Sequence, residues 1–587
     1  MISMNPNDFN ILVDLYKSGQ IKKAESQTKK MIGSFPNEII LYNLLGAIYI
    51  EKNKLNHAAK CFKKALVLNS NYAEAYNNLG IIFQKQGKNK EAILNYTKAV
   101  SINEKFHKAH KNLGILLREK GELFDAIKHF KKSYELNNNS GEALIDYWHL
   151  KQFCCDWSDR KLMKKQIANF LNDVNYNNEK EPCKVFPMLS MFDDPGLHLK
   201  ASEYYAKNIK SQNRIFNKKN ILIKNKKIKI AYLSDDFRDH PSSYLVVGVL
   251  ENHSRKEFEI YCISTCDNDK SEIRKRVENA CDVFIDVKNK SNFEVAKLID
   301  NLSINVLVDI NGYTKGSRLE IFSHFNQIPT VGFLGYAGTV NKKINQYKIA
   351  DPIVAPKNKK HYYSENIIYL PNTYHCTDDM VKVYKNNISK ISCKLPQDSF
   401  VFCCFNQSYK ISPEIFKIWL RLLKKTNKSV LWLLSSNKWA EKNLISYAKK
   451  EGIEEKKIIF ADKLPHHQHL ARIKNADLIL DTFPYNAHTT ASDALWSCVP
   501  FISLRGESFA SRVGSSILTS IKMTELITTN LKDYEMLALK VAKSPKKLKY
   551  LKKKVRKNIK KTPLFNTALY TINLEKAYKK ILKQDVK

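Results

Sequence analysis

A 34-residue period near the beginning of the chain restricts its possible folds more than any other feature. Three glycines share this period, namely Gly46, Gly80 and Gly114. Four alanines follow it as well: Ala24, Ala58, Ala92 and Ala126. Small residues that recur at this distance are typical of stacked helix pairs, because they let two helices cross closely. The period therefore predicts an α solenoid over residues 1–140.

The most regular copy of the repeat spans residues 73–103 and reads AEAYNNLGIIFQKQGKNKEAILNYTKAVSIN. It resembles a tetratricopeptide repeat. Arrays of such repeats form a continuous concave surface by stacking their helix pairs. This surface is expected to bind a peptide or a protein partner. The alternative is an array that only fixes the orientation of the next domain or forms a homodimer.

The length of 587 residues exceeds what one hydrophobic core supports, so several domains are expected. No apolar run approaches the roughly 20 residues of a membrane-spanning helix, and no membrane partner is expected. The first residues, MISMNPNDFNILVDLYKSG, lack the basic and apolar segments of a secretory signal. The twelve cysteines lack the spacing of a zinc site. Reduced thiols and a cytoplasmic location are the resulting expectations.

The formal net charge of the chain is +39. A charge of this size raises the question of nucleic-acid binding. The lysines are spread over the whole chain, however, which indicates a compositional bias rather than a binding patch. The densest run, residues 543–561, carries Leu548, Leu551 and Val555 at helical spacing and predicts an amphipathic surface helix. We therefore expect no nucleic acid as a partner.

The pattern of the sequence changes twice after the repeats. Residues 141–225 keep helical patterns without the period and are predicted to form a helical connector. From residue 226 short apolar runs alternate with helix-length stretches, which indicates α/β domains with parallel sheets. Two such domains are predicted, over residues 226–390 and 391–562. A ligand commonly binds in the cleft between two domains of this kind.

The strands of these domains are predicted from their apolar runs. In the first domain the runs are 228–233, 258–263, 283–287, 306–310 and 331–334. In the second domain they are 400–405, 430–434, 458–460, 478–482 and 501–504.

Two strands of the second domain lead through polar loops into helical patterns. After the first, Ser412 can cap a helix and Pro413 suits its first position. After the second, His488 and two threonines precede the helical pattern. Ligands of parallel sheets bind beyond the carboxyl ends of the strands, and a helix N-terminus there favours a phosphate. A nucleotide is therefore the predicted ligand.

Six motifs occur in order along the second part of the chain. They are DFRDHPSSY (236–244), DINGYTKG (309–316), LGYAGT (334–339), FNQSYKI (405–411), HTTASD (488–493) and GESFASRV (506–513). Together with the repeats, these motifs resemble the protein O-linked N-acetylglucosamine transferases, glycosyltransferase family 41, in a bacterial-type form. The resemblance covers nearly the whole chain.

The resemblance carries expectations about fold and function. It implies an α solenoid followed by a GT-B fold, which consists of two Rossmann-like domains. These are the first lobe, residues 226–390, and the second lobe, residues 391–562. Residues 563–587 are expected to form a last helix that returns to the first lobe. It implies an inverting, metal-independent enzyme that moves N-acetylglucosamine from UDP-N-acetylglucosamine to Ser or Thr of proteins. No cofactor is expected besides this donor substrate.

Several residues of the second domain fit the binding of a diphosphate. Lys410 lies just past a strand end, where a cation can neutralise the departing pyrophosphate. A solvated surface lysine is the alternative. Gln407 can donate to the same phosphates or hold the loop. His488, Thr489 and Thr490 fit a phosphate cradle at a helix start, although a threonine that only caps the helix is the simpler interpretation.

The resemblance assigns four further residues to the nucleotide-sugar site. Asp493 is expected to contact a ribose hydroxyl, and an aspartate that only stabilises the helix start is the alternative. His469 matches the family's histidine that contacts the nucleotide. Gly335 and Ala337 of the LGYAGT motif are expected to line the nucleotide-sugar pocket.

His240 follows the first strand of the first domain and precedes Pro241. An imidazole that faces the cleft can orient or deprotonate an acceptor hydroxyl. In the family the matching histidine lies by the acceptor and the sugar, so His240 is predicted to be catalytic together with Lys410. A water relay as the base and a purely structural histidine are the alternatives.

Asp267 and Asp269 form a DxD pattern, by which many other glycosyltransferases hold a divalent ion. Here the pattern follows a predicted strand in a loop that varies within the family. A solvated turn is therefore expected, and no metal site is predicted.

Four positions depart from the family pattern. Tyr244 stands where a second histidine is common, and His466 stands where animal members have a lysine. Ala337 replaces a proline, and Asn305 replaces a histidine of the animal sequences. Several of these positions line the sugar or base pocket, so UDP-glucose or GDP-fucose is the alternative donor. A repeat scaffold with a degenerate transferase domain is the alternative from another functional class.

Overall fold

The computed structural model describes residues 4–173, 183–209, 227–384 and 388–585. Within them the chain forms two compact units, of which the first ends at Leu150 and the second begins at Lys151. The fold class is confirmed as a helical repeat array followed by two parallel sheets with helices. The predicted limits of the individual domains stay predictions. No helix in these ranges is long and apolar enough to cross a membrane.

Paired helices build the repeat array of the first unit. They are α1 (Pro6–Lys17), α2 (Ile21–Ser34), α3 (Ile39–Glu51), α4 (Leu55–Leu68), α5 (Ala73–Lys85), α6 (Asn89–Ile102), α7 (His107–Lys120) and α8 (Leu123–Leu136). The periodic glycines lie where the two helices of a pair touch. A Cβ on Gly80 would come within 2.5 Å of the Tyr96 ring, and one on Gly114 within 3.0 Å of the Phe130 ring. The period thus reflects helix pairs that approach too closely for a side chain.

The described part of the predicted connector contains four helices. Its helices are α9 (Gly141–Phe153), α10 (Arg160–Asn172), α11 (Met188–Met191) and α12 (Pro195–Lys207). From Lys151 onward these residues belong to the same compact unit as the two sheets. Residues 174–182 and 210–225 of the predicted connector lie outside the described residues.

Residues 227–384 form a parallel sheet of seven strands in the order β3-β2-β1-β4-β5-β6-β7. The strands are β1 (Ile228–Ser234), β2 (Phe258–Ser264), β3 (Val283–Asp286), β4 (Val306–Asp309), β5 (Thr330–Gly332), β6 (Tyr347–Ala350) and β7 (Asn366–Tyr369). The helices are α13 (Pro241–Asn252), α14 (Glu272–Asn279) and α15 (Asn292–Asn301). The strand order reverses between β1 and β4, and ligands of such sheets bind at this point.

Residues 388–585 contain the second parallel sheet, with six strands in the order β10-β9-β8-β11-β12-β13. The strands are β8 (Phe400–Cys404), β9 (Ser429–Leu434), β10 (Ile458–Ala461), β11 (Leu478–Leu480), β12 (Phe501–Leu504) and β13 (Ile527–Thr528). The helices are α16 (Pro413–Lys425), α17 (Lys438–Lys450), α18 (His466–Ile473), α19 (Thr489–Trp496), α20 (Val513–Ser520), α21 (Leu531–Ala542) and α22 (Pro545–Ile559). Here the order reverses between β8 and β11.

The last helix, α23 (Thr567–Asp585), contacts residues of the first sheet and of its helix α13. Its Tyr578 hydroxyl lies 3.1 Å from the hydroxyl of Tyr232 in β1. Its Glu575 carboxylate lies 3.0 Å from Nδ1 of His253, the residue after α13. The basic run also forms the predicted amphipathic helix, α22, in which Leu551 and Val555 are fully buried.

Candidate functional site

Lys410 lies in the loop after β8, at the point where the strand order of the second sheet reverses. Its Nζ donates to the backbone oxygen of Asn486 at 3.0 Å and lies 3.7 Å from the centre of the Tyr485 ring. Burial lowers the pKa of Lys410 to about 8, although the charge of Asp481 opposes this shift. A cation without a shell of water binds an anion more strongly than a solvated one does.

Asp481, which directly follows β11, is a buried acid that the sequence analysis missed. Its carboxylate accepts from the backbone N–H groups of Thr482 and Ala487 at 2.8 Å and 2.7 Å, and from the Ser503 hydroxyl at 2.6 Å. Burial raises the pKa of Asp481 to about 7, while these hydrogen bonds and Lys410 oppose the shift. Its signal in the sequence is an aspartate at the end of an apolar run, DLILDT.

The start of α19 lies beside the loop after β8. The helix begins at Thr489 with His488 in the N-cap position, so neither threonine is the cap. The Thr490 hydroxyl donates to Oδ1 of Asn406 at 2.7 Å, which ties the helix start to the loop of Lys410. Nδ1 of His488 lies 3.1 Å from the backbone oxygen of Asn486. Its Nε2 is buried and has no hydrogen-bond partner within the described ranges.

Asp493 lies in the same helix, His469 lies in the neighbouring helix α18, and Gln407 lies in the loop of Lys410. Oδ1 of Asp493, one turn into α19, accepts from Nε2 of His466 at 3.0 Å. His469 lies one turn further along α18, its ring centre 5.2 Å from that of Phe405. Nδ1 of His469 accepts from Arg472, and burial lowers the pKa of His469 to about 4. Gln407 is half-buried and directly precedes the turn that ends at Lys410.

His240 occupies the N-cap position of α13, at the point where the order of the first sheet reverses. Its Nδ1 accepts from the backbone N–H of Ser242 at 3.3 Å and lies 3.3 Å from Oδ2 of Asp236. Desolvation lowers the pKa of His240 to about 4, with Arg238 acting in the same direction. The ring is therefore neutral at pH 7. Because Nδ1 accepts from Ser242, the proton of this neutral ring lies on Nε2. Nε2 can accept a proton from a substrate only in the other tautomer, in which Nδ1 donates to Asp236.

Gly335 and Ala337 lie in the loop after β5. The N–H of Gly335 donates to the backbone oxygen of Ile310 at 2.9 Å. A Cβ on Gly335 would come within 2.0 Å of that oxygen, so only glycine fits here. Ala337 is fully buried, and Nζ of Lys348 donates to the backbone oxygen of Tyr336 at 2.6 Å. The loop is thus fixed against the segment that follows β4.

The predicted residues form three groups. Those of the second lobe surround the reversal between β8 and β11, His240 lies at the reversal of the first sheet, and Gly335 and Ala337 lie in the loop after β5. Tyr244, one turn along α13 from His240, touches His466 of the second lobe, with 4.4 Å between ring centres. Both rings line a small cavity together with Thr489, Asp493 and others. The roles assigned to the individual residues stay predictions.

The DxD pattern lies in an exposed loop after β2. Asp267 forms an ion pair with Lys288, and the carboxylate of Asp269 accepts from the backbone nitrogens of Asp239 and Ser271. In the described ranges no three His, Cys, Asp or Glu side chains form a group that could hold a metal ion.

Comparison with known proteins places this site in a family. A family model described as Glycosyl transferase family 41 matches residues 154–394 and 384–574. Models of tetratricopeptide repeats match residues 46–87 and 73–106. Among solved structures, an O-GlcNAc transferase mutant of Thermobaculum terrenum matches with a TM-score of 0.62 and 21% identity. The match covers 93% of this chain and 98% of that one, and it shows a shared fold.

Curated relatives match over the same region. A probable UDP-N-acetylglucosamine–peptide N-acetylglucosaminyltransferase of Arabidopsis thaliana is 33% identical over 449 residues, which are 74% of this chain and 46% of the relative. The UDP-N-acetylglucosamine–peptide N-acetylglucosaminyltransferase of Caenorhabditis elegans is 24% identical over 551 residues, 72% of this chain and 47% of the relative. The chain spans less than half the length of either relative. Since the family model covers well over half of it, including both lobes, the chain belongs to glycosyl transferase family 41.

Proposed function

We propose that the protein transfers N-acetylglucosamine from UDP-N-acetylglucosamine to serine or threonine hydroxyls of proteins. Membership of the family and the names of the two curated relatives support this donor and this class of acceptor. The observation that carries the proposal is the buried ammonium of Lys410 beside the start of α19. A departing diphosphate would meet a cation and free backbone N–H groups there.

In the proposed reaction the acceptor oxygen attacks the anomeric carbon as the bond from that carbon to the pyrophosphate oxygen breaks. Lys410 and the helix start stabilise the charge that develops on the leaving UDP. His240 accepts the hydroxyl proton, directly or through water, on the other side of the sugar. Attack from the face opposite the leaving group inverts the anomeric configuration.

The proposed reaction needs no divalent ion, because Lys410 and the N–H groups of α19 supply the positive charge that a metal supplies elsewhere. The repeats are proposed to select protein partners, and they can also form a homodimer. A reducing compartment, the cytoplasm, suits the twelve free cysteines. Another donor, UDP-glucose or GDP-fucose, is the alternative, because Tyr244 and His466 differ from the family pattern in the pocket.

The test is a thermal-shift panel with UDP, UDP-N-acetylglucosamine, UDP-glucose and GDP, each with and without EDTA. A ligand that binds only the folded state raises the unfolding midpoint by mass action. We expect EDTA-insensitive stabilisation by UDP and UDP-N-acetylglucosamine, followed by transfer of labelled sugar to an acceptor peptide. Stabilisation by GDP alone would indicate GDP-fucose as the donor instead of UDP-N-acetylglucosamine. No response to any nucleotide would favour a repeat scaffold without activity.

A further inference from the structure

The loop that carries Lys410 is bound on its outer side by the end of helix α9. The Ser408 hydroxyl donates to the backbone oxygen of Phe153 at 2.6 Å. Nε2 of Gln152 donates to the backbone oxygen of Tyr409 at 2.6 Å. Both residues between Gln407 and Lys410 are therefore hydrogen-bonded to residues more than 250 positions earlier in the chain.

A second group of contacts reaches Lys410 through aromatic rings. Phe186, between α10 and α11, packs against Tyr409 and Tyr485, with ring centres 6.2 Å and 6.1 Å away. Tyr485 is the ring that receives the Lys410 ammonium. The tyrosine rings also lie against each other, with 6.4 Å between their centres. The position of the Lys410 ammonium thus depends on the Tyr485 ring, against which Phe186 packs.

Gln152 occupies a site that requires hydrogen-bond donors. Its side chain is 3% exposed, and its Nε2 also donates to the backbone oxygen of Ser190 at 2.9 Å. One amide group therefore joins two separate segments, the loop of Lys410 and the helix α11. An apolar side chain of the same length would leave two buried carbonyl oxygens without a donor, which costs free energy.

We propose that Gln152 is a positioning residue for Lys410, which makes the end of α9 a third component of the donor site beside the two lobes. This inference rests on the proposed function, in which Lys410 binds the diphosphate of the donor. Gln152 acts through the backbone of Tyr409 and does not itself touch the donor.

The Gln152→Met variant should separate this role from general stability. Without the Nε2 donor, the loop relaxes toward water and the Lys410 ammonium regains hydration. The pKa of Lys410 then rises from about 8 toward that of an ordinary lysine. UDP should bind about tenfold more weakly at pH 7, in line with the loss of one buried hydrogen bond. The pH at which UDP binding is lost should move upward.

The experiment is calorimetric titration of the full chain with UDP between about pH 6.5 and pH 10, the range in which Lys410 titrates. The matched control is Gln397→Met, the same substitution at an exposed position of the second lobe. We expect Gln397→Met to follow the wild type at every pH. If Gln152→Met does not fold, Phe186→Leu takes its place. We expect this variant to lose less affinity for UDP and to show the same upward shift of the pH at which UDP binding is lost.

Three results overturn the inference. If Gln152→Met or Phe186→Leu binds UDP with the affinity and the pH profile of the wild type, the positioning role is contradicted and the proposed donor is not. A folded wild type that binds no uridine nucleotide contradicts the proposed donor first and the positioning role with it. Weaker binding with an unmoved pH limit also counts against it, because a merely structural residue would give that result.

Discussion

Tyr244 of the first lobe and His466 of the second lie in ring contact, with 4.4 Å between their centres. These are two of the positions at which the resemblance to the family implies a departure from its pattern, and they meet in space. The Tyr244 hydroxyl is held by Asp239 at 2.9 Å, and His466 is held by Asp493 at 3.0 Å. An aromatic face attracts a cation, so this contact favours a protonated His466.

The contact of His466 with Tyr244 and its pair with Asp493 predict that the stability lost by replacing His466 depends on pH. Burial lowers the pKa of His466, but Asp493, Asp239 and Asp378 outweigh it and raise the pKa above its ordinary value. A histidine with a raised pKa stabilises the folded state below its unfolded pKa of about 6.5, and this contribution disappears as pH rises through the folded value. The unfolding midpoint of His466→Gln should therefore lie further below the wild type at acidic than at alkaline pH.

The control for this measurement is His467→Gln, an exposed neighbour in the same helix. It should lower the unfolding midpoint less than His466→Gln does at acidic pH. Thermal unfolding of the three proteins at about pH 5.5 and pH 8.5 brackets the titration of the imidazole. An equal difference between wild type and His466→Gln at both pH values would contradict the charged pair.

Lys410→Met is expected to abolish transfer without loss of stability. Removing a group that stabilises the leaving pyrophosphate should lower the rate at least about 100-fold. The depressed pKa of Lys410, about 8, means that its charge destabilises the folded state at pH 7. The unfolding midpoint of the variant should be no lower than that of the wild type at pH 7, and any advantage should shrink as pH rises above 8.

Asp481, left without its counter-charge in Lys410→Met, can bind a proton because its pKa is about 7. Lys424→Met, at an exposed position of α16, is the matched control and should retain full activity. Transfer to an acceptor peptide and UDP-induced stabilisation are the two measurements. Activity within twofold of the wild type would show that Lys410 has no role in the reaction.

Asp236→Asn should slow transfer without weakening UDP binding. The carboxylate can accept from Nδ1 and so supports the tautomer of His240 in which Nε2 is free to take a proton, whereas an amide can donate to Nδ1 and opposes that tautomer. The rate should fall about 100-fold, within the range that general acid–base catalysis contributes. In the wild type the rate should fall below about pH 6, because burial raises the pKa of Asp236 to about 6.

Asp235→Asn serves as the comparison for this prediction, since its side chain faces Thr265 and Arg238 rather than Nδ1 of His240. Steady-state kinetics with a saturating acceptor separate the rate of transfer from the affinity for the donor. Equal losses in the two variants would mean that the charge of the loop matters and the tautomer of His240 does not.

The sequence predicted those elements that leave a local signal. Ser412 caps α16, with Pro413 at its first position, as their types and order indicate. The strands β6, β7 and β13 were not predicted. Polar residues such as Lys348 and Asn366 interrupt the apolar pattern of β6 and β7, and β13 is only two residues long. Asp481 sits at a strand end that was predicted, but its burial depends on the packing of three other segments.

The contacts of Gln152 could not be predicted by any periodic pattern. Gln152 and Tyr409 are 257 positions apart, and a glutamine near the end of a helix is most often solvated. The stretch was therefore interpreted as a connector alone. Long-range hydrogen bonds of this kind arise from the tertiary fold, which places two unrelated segments side by side.

The helix crossings of the repeats provide the last prediction, in which the same substitution has opposite effects at two sites. A Cβ on Gly80 would come within 2.5 Å of the Tyr96 ring, which is fully buried and anchored by a hydrogen bond to Gln84. Because this ring cannot retreat, Gly80→Ala should cost about 1–3 kcal/mol. A Cβ on Gly33 would meet nothing within 4 Å, so Gly33→Ala should stabilise its helix by up to about 1 kcal/mol. Hydrogen–deuterium exchange should become faster in α5 and α6 for the first variant and slower in α2 for the second. Unchanged exchange in α5 and α6 would mean that the glycines of the 34-residue period do not mark close helix crossings.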